Sequence, residues 1–82
     1  MEKNANINAR LVDLLDVLDA RKTVNIFLKE YKGEGQTSIR YDTVYELLAD
    51  KDFMRAYYDH EVIGLNLGLV TNILIGIYEE GM

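Results

Sequence analysis

Few residues in this chain offer reactive chemistry. His60 is the only histidine and Ser38 the only serine, and there is no cysteine. A metal site needs several such ligands converging on one point. In Asp59-His60-Glu61, leading into a strand, alternate side chains would go to opposite faces, which spoils that convergence. His60 therefore reads as a turn histidine, and neither a metal nor another cofactor is expected. A triad of Ser38, His60 and an acid is compositionally possible, but no nucleophile elbow surrounds Ser38. Lys32-Gly33-Glu34-Gly35-Gln36 is rich in glycine, yet no G-K-[ST] follows and no helix opens there, so it is a hairpin loop and not a phosphate cradle. Asp50 and Asp52 read as helix caps before they read as catalytic acids. The expectation is a protein that is not an enzyme.

What remains is charge. Fourteen acidic residues against nine basic ones leave a formal charge of −5. Direct binding to nucleic acid wants a basic face, so it is not expected. A partner that is itself basic fits better, because complementary fields speed encounter and align surfaces. Asp13, Asp16, Asp50, Asp52, Asp59 and Glu61 are the candidate acidic binding face. The plainer account of the same residues is a solvated helix surface that keeps the protein soluble. Six tyrosines offer interaction area at low entropic cost, although Tyr45, Tyr57 and Tyr58 are expected rather to finish a small core.

The elements that must position these residues follow from periodicity. The chain of 82 residues makes one domain, expected over residues 9–80 behind a flexible N-terminal segment, 1–8. Ile7, Leu11, Leu14, Leu15 and Leu18 share one helical face, with Asp13 and Asp16 opposite and Asn6 or Asn8 as cap. Thr23 to Tyr31 alternates as a strand with Val24, Ile26 and Leu28 on one side. Thr37, Ile39 and Tyr41 line one face of a short return strand. Thr43-Val44-Tyr45-Glu46 matches a capping box. An unbroken helix from there would carry Lys51 and Arg55 into the core face. A restart at Asp50 or Asp52 avoids this and gives Phe53, Met54 and Tyr57 a fresh inner face, so a kink or break is expected near 49–52.

Asp59-His60 reads as a turn into a last hairpin. Ile63, Leu65 and Leu67 form one face of its first strand. After a turn near 70–72, Ile73, Ile75 and Ile77 form one face of a central or near-central strand. The fold expectation is α+β in the order αββαββ, a mostly antiparallel four-stranded sheet covered on one face by two helices. The opposite face, with Gly64, Asn66, Gly68, Gly76 and Tyr78, is a possible surface for homo-oligomer formation, or else an exposed face or bulge. Val62 to Tyr78 carries no charge, but it is short for a bilayer span, contains glycine and asparagine, and has acidic flanks. No membrane association is expected. Met1 to Asn6 lacks the basic and apolar regions of a signal peptide, so a cytoplasmic location is expected.

The run Leu11-Val12-Asp13-Leu14-Leu15-Asp16-Val17-Leu18-Asp19, followed by Thr23-Val24-Asn25-Ile26, then Tyr45-Glu46-Leu47-Leu48 and Asp59-His60-Glu61-Val62-Ile63, resembles small acidic uncharacterised proteins of phages and mobile elements of Gram-positive gut bacteria. Some of these resemble anti-CRISPR proteins. The resemblance covers most of the chain after residue 9. The chain departs from it in its long apolar last hairpin and in the second helical turn around Phe53 to Tyr58. What it implies is a non-enzymatic inhibitor or modulator whose acidic surface binds a basic nucleic-acid-binding host protein, for instance a CRISPR effector. The alternatives are a homo-oligomeric scaffold domain with an unknown partner and, third, a small metal-dependent nuclease or nicking factor.

Overall fold

The computed structural model describes residues 9–29 and 35–76. The expectations for residues 1–8, Ile77 and Tyr78 fall outside that range.

Helix α1 spans Leu11–Val17. Its N-cap is Arg10, with an extended backbone and no side-chain cap, rather than Asn6 or Asn8. The amides of Leu11 and Val12 instead donate to the carbonyls of His60 (2.8 Å) and Tyr58 (3.0 Å). A neighbouring turn thus satisfies the exposed helix end that a polar cap would otherwise serve. Leu11 and Leu15, one turn apart, are wholly buried. The helix stops where Leu18 turns extended, and Asp19 then organises the turn into strand β1, Thr23–Lys29, by accepting from the Arg21 amide at 2.8 Å.

β1 pairs antiparallel with β2, Gln36–Thr43, and parallel with β4, Thr71–Gly76; β4 pairs antiparallel with β3, Glu61–Asn66. The sheet order is β2-β1-β4-β3, so the two hairpins meet through a parallel pair at the centre. The α+β class and the four-stranded sheet match the sequence reading. The sheet is mixed, however, while the second helix is broken within the expected 49–52 window, into two. Helix α2 is Val44–Ala49 and helix α3 is Lys51–Tyr57. Asp50 ends the first with an extended backbone and caps the second by accepting from the Phe53 amide at 3.0 Å. The break therefore lies where the misplaced cations required it. At the start of α2, Thr43 Oγ1 accepts from the Glu46 amide at 3.2 Å, while the Thr43 amide goes to Asp42 Oδ1 at 2.9 Å.

Two bulges set which side chains face the helices. Ile26 opposes Arg40 and Phe27 opposes Ser38, so Ile39 is an extra residue in β2. Thr37, Ile39 and Tyr41 consequently do not share one face: Thr37 opposes Leu28, and Tyr41 opposes Asn25 on the other side. In β3, Val62 opposes Ile75 and Gly64 opposes Leu74, leaving Ile63 as the extra residue. The strand changes phase there. Val62 is buried at 1% exposure, whereas Ile63 is 41% exposed, which reverses the face expected for Ile63. Leu65, opposite Ile73, keeps the expected side but remains partly open at the sheet edge, and Leu67 is already in the exposed loop.

The core lies between the sheet and the three helices: Leu11, Leu15, Val24, Ile26, Val44, Leu47, Phe53, Val62, Ile73 and Ile75. The isoleucines of β4 sit in its middle, as a central strand requires. The uncharged stretch read above is a hairpin through Gly76, turning at 67–70 and not at 70–72. Among the described residues no helix is long and apolar enough to cross a membrane.

Candidate interaction surface

The six candidate acids do not form one face. Asp13 and Asp16 project from the exposed side of α1. Among the described residues, neither has an ion-pair partner. The carbonyls that receive the first amides of α1 belong to Tyr58 and His60, and this brings Asp59, in the same turn, to the end of the helical layer that carries Asp13. Asp59 Oδ1 lies 3.7 Å from His60 Nδ1. The His60 ring is mostly buried and packs edge-on to Tyr57, with centroids 5.1 Å apart. That is the turn histidine expected from the sequence. Asp52 sits at the far end of α3 from Asp59, 3.7 Å from Arg55, with both side chains almost wholly in solvent. Such a contact contributes little. Glu61 precedes core-facing Val62 and pairs with Gly76, which puts it on the uncovered face of the sheet.

Asp50 belongs to the architecture. Besides capping α3, its Oδ2 accepts from Arg40 Nη1 at 2.6 Å, while Arg40 Nη2 reaches Asp42 Oδ2 at 3.0 Å. The same guanidinium lies over the Phe53 ring, 5.2 Å from its centroid, a cation–π arrangement. The Phe53 amide first and the Arg40 side chain second hold the Asp50 carboxyl below its usual pKa. For Asp42 the Arg40 side chain comes first and the Thr43 amide second. Arg40 did not stand out in the sequence, because simple alternation gives no hint that the bulge at Ile39 turns it toward the helices. The usable acidic surface thus contracts to Asp13, Asp16 and Asp59, with Asp52 apart.

The uncovered sheet face carries Gly64, Asn66 and Gly76 among half-buried Phe27 and Leu74, and Gly68 lies in the hairpin loop. A shallow depression of about 360 Å³ is lined by Phe27, Gln36, Gly64, Asn66, Asn72 and Leu74, with Leu65 at its rim. The glycines have a reason within the sheet. A Cβ on Gly64 would meet Leu74 Cβ at 3.2 Å, and one on Gly76 would meet Ile63 Cδ1 at 3.2 Å. Apolar side chains from neighbouring strands already lie over both. Beyond them the loop exposes Leu67 and, at 98%, Leu69. Lys22 Nζ donates to the Gly68 carbonyl and ties this loop to the start of β1. The outer edge of β3 is covered at its beginning, where the Val62 amide donates to the Ala9 carbonyl at 2.8 Å and Arg10 bridges Glu61.

Among the described residues no three His, Asp or Glu side chains converge as metal ligands would. No family model, curated protein or solved structure matches the chain.

Proposed function

We propose that this chain is a non-enzymatic inhibitor or modulator of the mobile-element, anti-CRISPR-like kind, acting in the cytoplasm. The acidic end of its helical layer enters a basic, nucleic-acid-binding groove on a host protein, such as a CRISPR effector. The observation that carries this reading is the pair Asp13 and Asp16, exposed on α1 and without ion-pair partners among the described residues, in a chain of charge −5. Carboxylates free of internal partners lose little when they meet external cations, and they mimic the charge of the nucleic acid they displace. The test is competition of the whole chain against guide or target nucleic acid on a panel of such effectors, at low and high salt. Displacement at low salt that fades at high salt supports the reading. No displacement from any effector at low salt refutes it.

Self-association is a second reading, favoured by one observation: Ile63, Leu65, Leu67 and Leu69 are all substantially exposed along β3 and its loop. Apolar side chains exposed along an edge hairpin invite pairing. Sedimentation that gives a single monomeric species at tens of micromolar, roughly the range in which weak dimers form, removes it.

A further inference from the structure

A groove runs between α1 and the α2–α3 pair, with a volume of about 380 Å³, lined by Val12, Leu48, Lys51, Met54, Arg55 and Tyr58. Its floor is apolar: Val12 and Met54 are half-buried, and Leu48 and Tyr58 are 38% and 47% exposed. Lys51 and Arg55, one helical turn apart, form the wall on the α3 side. Lys51 has no ion-pair partner among the described residues, and the one partner of Arg55 is the solvent-exposed Asp52. Their position follows from the helix break. The restart at Asp50 rotates α3 so that Phe53 takes the core position and the two cations move out beside the apolar floor.

We propose that this groove is a docking site for an amphipathic, acidic helical segment of a partner protein. An apolar anchor would rest on Val12, Leu48 and Met54, with carboxylates facing Lys51 and Arg55. Charge complementarity selects the occupant. In a chain of charge −5, two neighbouring cations beside an apolar floor favour a ligand that is anionic on one side and apolar on the other. The groove is also shallow. A small molecule relies on burial of most of its surface, whereas a helix gathers several anchors along an open groove. Phosphate chains are a poorer match, because Asp52 already stands 3.7 Å from Arg55. The site is distinct from the acidic surface proposed above, since none of Asp13, Asp16 and Asp59 lines it.

The experiment uses the whole chain with isotope-labelled methyl groups. The probe is a synthetic peptide of about three helical turns, with leucines one turn apart and glutamates on one flank. A second peptide carries lysines in place of the glutamates, and decanoate is the small-molecule control. The expected result is that methyl shifts from the glutamate peptide concentrate at Val12, Leu48 and Met54. Its affinity falls at least about tenfold in the double variant Lys51→Glu/Arg55→Glu, which gains affinity for the lysine peptide. Both positions are exposed, so the variant stays folded, and an unchanged thermal melt verifies it. The proposal is overturned if the glutamate peptide gives no shifts at millimolar concentration, if its shifts map to the uncovered sheet face, or if the double variant binds it as the parent does. Decanoate saturating the groove while the peptide fails to displace it also overturns the proposal.

Discussion

Val62 and Ile63 are neighbours in β3, and the bulge between them predicts opposite consequences of the same substitution. Val62→Ala removes two carbons from a side chain that is 1% exposed and opposes Ile75. At about 0.8 kcal/mol per buried methylene, the transfer loss is about 1.6 kcal/mol. The site is closed by Ile75 on the next strand and by the helices above, so a residual cavity brings the cost to about 2–3 kcal/mol. Ile63→Ala removes three carbons from a side chain that is 41% exposed and lies on the uncovered face over Gly76. No second layer closes over it and no cavity forms, so the cost stays near 1 kcal/mol. The loss of strand propensity is common to both and cancels in the difference. For a domain of this size, a difference of 1–2 kcal/mol separates the melting temperatures by about 5–15 °C, with Val62→Ala the lower. Thermal melts of the two variants and the parent, followed by circular dichroism, read this directly. If Ile63→Ala melts at or below Val62→Ala, the bulge and the inward face it assigns to Val62 are wrong, and uninterrupted alternation replaces them.

Thr71 is fully buried opposite Val24, and its Oγ1 has no hydrogen-bond partner among the described residues; Thr71→Val should therefore stabilise the fold by about 1 kcal/mol. A lowered melting temperature would show instead that the hydroxyl is satisfied. The glycine pair should split. Gly76→Ala crowds only the flexible end of Ile63, with Lys29 Cβ at an ordinary 3.9 Å, and should be neutral or slightly stabilising, whereas Gly64→Ala meets the fixed Cβ of Leu74 at 3.2 Å and should destabilise; equal effects in chemical denaturation would contradict the contact geometry. Asp42 and Asp50 have pKa values lowered in the folded state from the usual 3.8. Their contribution is present above that unfolded value and is lost as pH falls through the lower folded values. Melting temperature should thus drop through the acid range, and Asp50→Asn, which can still cap α3, should flatten that drop; an unchanged acid limb in Asp50→Asn would count against the Arg40 pairing.

Local chemistry made part of this structure readable in advance. The capping threonine, the restart at Asp50 and the inward Phe53 follow from helical spacing, because two cations at the centre of a core face were untenable. The isoleucine run of β4 announced a buried strand. The parallel pairing of β1 with β4 was not readable, since each hairpin's local pattern is compatible with several ways of joining the two. The bulges at Ile39 and Ile63 were hidden for a related reason: one inserted residue inverts every later side chain without changing composition. Gly64, next to the second bulge, was the only local sign. These two phase changes explain why Arg40 faces the helices and why Ile63 does not. They leave Glu61 on the sheet side, away from the acids of α1. The sequence showed Asp50 as a helix cap and also offered it for the acidic face; its cap and its Arg40 contact make it a structural residue, so reversing it would test stability and not binding.

Charge reversal at Asp13 and Asp16 therefore tests the proposed function most directly. Both side chains are exposed and unpaired among the described residues, so the double variant Asp13→Lys/Asp16→Lys should fold as the parent does. Its rate of association with any effector that the parent binds should be read by stopped-flow fluorescence across a salt series. If acidic steering drives docking, the parent's rate falls as the Debye length shortens to ~8 Å near physiological ionic strength. The variant associates at least about tenfold more slowly at low salt, and the two rates converge at high salt. A variant that associates as fast as the parent at low salt, while remaining folded, would contradict the claim that this acidic surface is the means of recognition.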